Sequence, residues 1–148
     1  MKSSANCYKL IKHYEGCELN AYLCPSDKLT IGYGHINDVT KGEIITQEQA
    51  DNFFLQDIIN FETIVNNLVK VKLSQNQFDA LVSFVFNVGR GSFETSTLLN
   101  LLNKGDYNDI PAQLLRWDKD SKGSILDGLE KRRKSESILW TTGNLSLF

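Results

Sequence analysis

The sequence predicts an α+β fold, mostly helical with one small β-hairpin near the N-terminus, and three observations predict it. Two capping boxes, Thr46-Gln47-Glu48-Gln49 and Ser74-Gln75-Asn76-Gln77, each open a stretch of helical apolar spacing. The first of those stretches continues unbroken from about Gln47 to Val69, long enough to bridge two lobes. Leu19–Leu23 and Leu29–Gly34 alternate loosely on either side of Pro25-Ser26-Asp27, which is hairpin patterning about a turn. A chain of 148 residues fits one domain, large enough for a real core and small enough to be two lobes of one fold. The division expected is a small lobe at about 13–46, a connecting helix at about 47–69, and a helical lobe at about 70–143 that includes an N-terminal helix at 4–14.

The elements follow in order. Ser4–Tyr14 predicts a short helix capped by Ser3 or Ser4, with Cys7, Leu10, Ile11 and Tyr14 on one face. His13 falls off that stripe and is expected in solvent. Gly16 is placed to stop the helix just after Glu15. Asn37–Gly42 reads as a loop. In the long helix Ala50, Phe53, Phe54, Ile58, Phe61, Ile64, Val65 and Leu68 keep helical spacing, and Asp57 sits inside the same stripe. A carboxylate there needs a partner, because burying it alone is costly. Phe78–Val88 is apolar almost all round, as a central core helix would be, and Gly89-Arg90-Gly91 is expected to end it. Short helices are expected at Thr95–Asn103 and Tyr107–Trp117, a loop at 118–124, and a last helix from about Gly128 to Trp140. Trp117 and Trp140 are expected in the core.

Composition bounds the chemistry. Hydrophobic residues at 41% and charged residues at 23% place the chain among ordinary globular domains. A net charge of −2 leaves no electrostatic footprint for nucleic acid, and no general attraction to an anionic wall. The three cysteines, Cys7, Cys17 and Cys24, are odd in number, which argues against a disulfide framework; Cys7 and Cys17 read as small apolar fillers. With only His13 and His35, and no C-x-x-C or H-x-x-x-H spacing, neither a zinc site nor a cofactor is expected. Met1–Glu15 has no apolar signal core and no run approaches membrane-spanning length. The expectation is a chain made in the cytoplasm, not inserted in a membrane, and monomeric.

The stretch Tyr14–His35 collects polar groups on the hairpin: Glu15 at a helix end, then Cys24, Asp27, Thr30 and His35. Such a set suits the shallow wall of an active-site cleft. From the residues alone, an ordinary surface hairpin fits equally well. The pattern resembles the signature of the phage-type lysozymes (endolysins): a glutamate and glycine (Glu15, Gly16), nine residues on from the glutamate an aspartate or cysteine (Cys24), and six further a threonine opening T-I-G-x-G-H (Thr30–His35). Leu81–Gly89 and Gly128-Leu129-Glu130-Lys131-Arg132-Arg133 resemble two further family blocks in the same order. The likeness runs from about Tyr8 to Gly143.

The resemblance implies a lysozyme-like fold and a muramidase cutting the β-1,4 bond between N-acetylmuramic acid and N-acetylglucosamine in bacterial peptidoglycan. Glycosidic cleavage needs an acid for the leaving oxygen and a group that activates water on the opposite face. Glu15 is the expected acid. Thr30 is expected to hold the water, with Cys24 in support, which gives inversion. Because a free thiol ionises only near pH 8.5 or so, Cys24 as thiolate base, Cys24 as neutral support and Asp27 as base all stay open, although Asp27 also fits simple turn chemistry. Arg132 is expected to reach and orient Glu15, with Arg133 as runner-up. His35 and Asp57 are expected to form an ion pair that holds the aspartate below its usual pKa. Phe86 and Asn87 match family positions on the far wall of the cleft, and fit equally well as an ordinary core aromatic and a helix C-cap; Ser96 and Ile36 are carried over from the family in the same way. The family role is host lysis, with a holin or another export route carrying the enzyme to the wall. A secreted antibacterial effector, a wall-remodelling muramidase and a non-catalytic wall-binding module are the alternatives. Intact Glu15 and Thr30 argue against the last.

Overall fold

The structure is a computed structural model and describes every residue except Ser121. The chain divides into two compact units, Lys12–Asn60 and Met1–Ile11 with Phe61–Phe148. Helix α1 (Ala5–Glu15) and helix α2 (Gln47–Leu68) each give residues to both.

In the smaller unit α1 stops where Gly16 turns to φ +66° and donates its N–H to the Lys12 carbonyl at 3.0 Å. That positive φ costs glycine nothing, so the chain leaves the helix there. Strand β1 (Glu18–Leu23) then pairs antiparallel with β2 (Leu29–Gly32), with Tyr22 opposite Thr30 and an irregular register between Glu18 and Tyr22. The tip is a tight turn in which Asp27 N–H reaches the Cys24 carbonyl at 2.9 Å and Cys24 N–H the Lys28 carbonyl at 3.0 Å. Asp27 takes φ +61° there, a conformation aspartate tolerates better than most residues. The following loop returns along β1, where Ile45 N–H donates to Leu19 O and Ala21 N–H to Glu43 O, both at 2.9 Å. Ile31, Ile45 and Ala50 form the small core, packed around by Cys17, Leu19, Tyr33 and Phe53. The capping box of α2 is complete: Gln49 N–H donates to Thr46 Oγ1 at 3.1 Å and Thr46 N–H to Gln49 Oε1 at 2.9 Å.

The larger unit is helical. Ser74 and Gln77 close the second capping box at the start of α3 (Gln75–Val88), an arrangement that contributes roughly 1 kcal/mol. Helix α7 (Asp127–Thr142) packs against α3 and against α6 (Ile110–Leu115). Phe78, Leu81, Phe84, Phe93, Leu98, Leu102 and Leu139 are fully buried in this unit. Trp140 is buried, and half-buried Trp117 sets its ring edge-on to Phe84 at 5.4 Å. A buried ionic cluster also lies there: Arg133 Nε stands 2.7 Å from Glu136 Oε1, and Ser83 Oγ donates to Glu136 Oε2 at 2.6 Å. The first residues are tied down by carboxylates. Ser3 N–H donates to Glu62 at 2.6 Å, and Ser4 uses both its N–H and its hydroxyl on Asp79. Cys7 is fully buried, which pushes its thiol far above the ordinary range.

The α+β class is as expected, and three details differ. Gly89 ends α3 at φ +85° as expected, but Arg90 and Gly91 are not loop: they open a further short helix, α4 (Arg90–Glu94), at once. The helix expected from Thr95 is α5 (Thr97–Asn103), which begins two residues later because Ser96 is its cap and lies outside the turn. Tyr107–Trp117 is a single 3₁₀ turn (Tyr107–Asp109) followed by α6, which Pro111 opens and which stops at Leu115. The expected loop at 118–124 contains an isolated bridge between Lys119 and Ile125, and Ser121 within it lies outside the described residues.

Candidate functional site

Glu15, Cys24, Thr30, His35 and Asp57 all belong to the hairpin unit, and the backbone explains how each is placed. Glu15 is the last residue of α1 and half-buried. Its carboxylate lies against Gly34: a Cβ on Gly34 would stand 2.6 Å from Glu15 Oε1 and 3.3 Å from the carboxyl carbon. The hairpin end therefore has to be glycine for the carboxylate to occupy this position, and φ +73° at Gly34 asks for the same residue.

Thr30 sits on β2 with only 3% of its surface exposed, its hydroxyl donating to the Lys28 carbonyl at 3.0 Å. The lone pairs of that hydroxyl are left to accept. Cys24 closes β1 at the turn, with Ser26 Oγ 2.9 Å from its sulfur. That hydroxyl pulls the thiol down to about 7; burial, the next largest effect, opposes it, and the backbone N–H groups of Lys28 and Ser26 and the Thr30 hydroxyl add smaller pulls downward. A thiol at about 7 is half thiolate in neutral solution. The premise of a mostly protonated Cys24 is thus replaced by one of a thiol made acidic by its own turn. Asp27 is exposed at the tip with its φ set by the turn, which is the ordinary work of a turn aspartate.

Tyr22 joins the two halves of this group and sequence reasoning missed it. Burial raises its phenol above the usual range, and the negative charge of Glu15, then Glu18, then Cys24, pushes it further the same way. One phenol therefore senses both the acid and the thiol. The register that pairs Tyr22 with Thr30 could have identified it. Gly34 stands in the motif and Ser26 in the turn, but the sequence does not show the contact that either one makes.

His35 and Asp57 meet as expected, Nδ1 to Oδ2 at 2.8 Å, with 7% and 8% of their surfaces exposed. Phe53 stacks on the imidazole at 4.3 Å with the planes 8° apart. The expected direction of the aspartate shift is corrected: burial pushes the Asp57 carboxyl above its ordinary range, and the hydrogen bond and charge of His35 offset only part of that. Desolvation outweighs pairing here. Ile36, next along the chain, is 47% exposed.

The other sequence-predicted positions lie in the helical unit. Phe86 and Asn87 occupy the last turn of α3, Phe86 half-buried with Phe61 at 4.8 Å between ring centres and Asn87 exposed. Ser96 is buried and caps α5, its hydroxyl donating to Phe93 O at 2.7 Å and accepting from Leu99 N–H at 3.1 Å. Arg132 is buried, with Nη2 donating to the Ser83 carbonyl at 2.9 Å and Nε 3.5 Å from Glu136 Oε2. Arg133 is more deeply engaged with the same glutamate and lies over the Phe84 ring at 4.9 Å. Among the described residues no three His, Cys, Asp or Glu side chains are grouped to hold a metal ion.

Comparison with known proteins gives the chain its family. A family model described as phage lysozyme matches residues 12–136. The chain is 46% identical over 134 residues to an endolysin of Acyrthosiphon pisum secondary endosymbiont phage 1, covering 88% of this chain and 92% of that protein. Among solved structures it is similar to an endolysin from Escherichia coli O157:H7 phage FAHEc1, with a TM-score of 0.88 at 35% identity, covering 99% of this chain and 97% of the other. The muramidase domain of SpmX from Asticaccaulis excentricus matches with a TM-score of 0.88 at 38% identity, covering 95% and 98% respectively.

Proposed function

This chain belongs to the phage lysozyme family, and we propose that Glu15, Thr30 and Cys24 carry its chemistry. It is a glycoside hydrolase, a phage-type peptidoglycan muramidase of the kind that lyses a host cell. In our reading the Glu15 carboxyl group gives its proton to the oxygen leaving from the sugar. A water resting on the Thr30 hydroxyl attacks the anomeric carbon from the opposite face. The Cys24 thiolate takes the proton that the water loses, and solvent returns the thiol and the carboxylate to their starting states. Attack opposite the acid inverts the configuration.

The observation that carries this reading is the thiol at about 7 beside the buried Thr30 hydroxyl, on the same small unit that holds Glu15 against Gly34. It supports Cys24 over Asp27 as the base. We propose further that the enzyme works as a monomer on glycan strands and not on nucleic acid, and that a holin or similar route delivers it to the wall. Among the described residues no helix is long and apolar enough to cross a membrane. Glu15→Gln is the test. The variant keeps the shape and removes the proton, so clearing of purified peptidoglycan should fall about 10²–10⁴-fold with the circular dichroism spectrum unchanged. Wild-type clearing by the folded variant overturns the assignment.

A further inference from the structure

The last turn of α1 has a second anchor besides the contact between Glu15 and Gly34. We propose that Lys12 is a positioning residue for the reaction, holding that turn so that the Glu15 carboxyl group keeps its working place. The inference rests on the reading that Glu15 is the acid.

Lys12 stands one turn before Glu15, and its carbonyl accepts the Gly16 N–H that closes the helix. Its ammonium lies over two aromatic faces, 4.9 Å from the ring centre of Tyr33 and 5.0 Å from that of Phe54. Those rings meet edge to face at 5.6 Å. Asp51 Oδ1 is 3.6 Å from the same nitrogen. Gln47 closes the circuit, its Nε2 donating to the Tyr33 hydroxyl at 3.0 Å and to Asp51 at 3.1 Å. An amide nitrogen carries two hydrogens, one for each of these acceptors. Lys12, Tyr33, Gln47 and Asp51 thus form a closed ring of side chains, in the same unit as Glu15 and Gly34.

Register ties this ring to the chemistry. Tyr33 directly precedes Gly34, the residue against which the Glu15 carboxylate lies. The end of α1 and the chain after β2 therefore touch twice, Glu15 on Gly34 and, one turn back, Lys12 on Tyr33. Glu15 is the final residue of its helix, where turns fray. One contact leaves such an end free to pivot, and two fix its direction. A cation suits the place, because it faces the negative end of the helix dipole and the electron-rich faces of two rings. The side chains of Lys12 and Asp51 are 36% and 46% exposed, and ion pairs that open to water add little to stability. The ring's effect is therefore on where the turn sits rather than on whether the protein folds.

The test is steady-state kinetics on soluble glycan-strand fragments, which separates kcat from KM. Lys12→Met keeps the stem over the rings and removes the charge. Its kcat should fall about five- to twentyfold, as a displacement of less than about 1 Å at the acid would give, with KM within about twofold of the wild type. Lys12→Arg should recover most of the loss, since a guanidinium also binds aromatic faces and carboxylates. Lys9→Met makes the same change of charge at an exposed position on the same helix and should keep the wild-type kcat. An unchanged kcat in Lys12→Met, a change in KM alone, an equal loss in Lys9→Met, or an arginine variant no better than the methionine one overturns the proposal. If Glu15→Gln proves active, the acid assignment fails separately, and Lys12 is judged by NMR. The nuclear Overhauser contact between Gly34 Hα and the Glu15 side chain should weaken in Lys12→Met and persist in Lys12→Arg and Lys9→Met. A contact undiminished in Lys12→Met, or weakened equally in Lys9→Met, overturns it.

Discussion

Replacing Gly34 by alanine should silence the enzyme while leaving it folded. The new Cβ would stand 2.6 Å from Glu15 Oε1, where ordinary contact begins at 3.4 Å, so the carboxylate must withdraw by 3.4 − 2.6, or about 0.8 Å. A displacement of about 1 Å at a reacting group costs on the order of 10²-fold in rate. The same substitution also puts an L-residue at φ +73°, at a cost of roughly 1–2 kcal/mol in stability. Gly32→Ala separates the two effects. It has φ +64°, but its Cβ would meet Ala50 at 3.5 Å, an ordinary contact remote from any carboxylate. Urea unfolding should show both variants destabilised by roughly 1–2 kcal/mol, while clearing of purified peptidoglycan should fall about 100-fold in Gly34→Ala alone. Equal activity losses in the two variants, or near-normal clearing by Gly34→Ala, would refute the placement of Glu15.

Two further predictions concern ionisation. If the Cys24 thiolate is the base, activity should rise with pH through a midpoint of about 7, where the thiol ionises. Cys24→Asp should carry that limb down into the carboxylate range and Cys24→Ser should abolish it, whereas Asp27→Asn should keep it; a limb that survives in Cys24→Ser removes the cysteine from the role. For Asp57 the sign follows from a folded pKa above the unfolded one: the folded state holds its proton more tightly, so stability falls as pH rises from 3.8 through the raised value, then levels. Unfolding free energies measured against pH should therefore move in favour of Asp57→Asn across that window. Movement in favour of the wild type would mean that pairing with His35 outweighs burial.

Much of this was legible in the sequence, and what was not has physical reasons. Both capping boxes announced α2 and α3 because side-chain and backbone hydrogen bonds there involve residues three apart, which a linear reading sees directly. Asp57 stood out because one carboxylate broke an apolar stripe, and its partner His35 lay at the end of the hairpin motif. The direction of its shift was misjudged because a sequence shows the partner and not the depth of burial. Helix α4 was invisible because five residues with a glycine carry no period. The acidity of Cys24 depends on how the turn folds Ser26 and two backbone N–H groups onto the sulfur, and no residue spacing encodes that. The tightness at Gly34 is a tertiary contact between residues nineteen positions apart (34 − 15). The motif marked the glycine without saying what it touched.

The central claim is that a water held by Thr30, and not the sulfur of Cys24, attacks the sugar opposite Glu15. Proton NMR of the first-formed reducing end, taken before the anomers equilibrate, tests it most directly. Water attack on the β-linked substrate predicts the α anomer as the initial product. An initial β anomer would mean two displacements through a covalent sulfur–sugar intermediate, and would contradict the account.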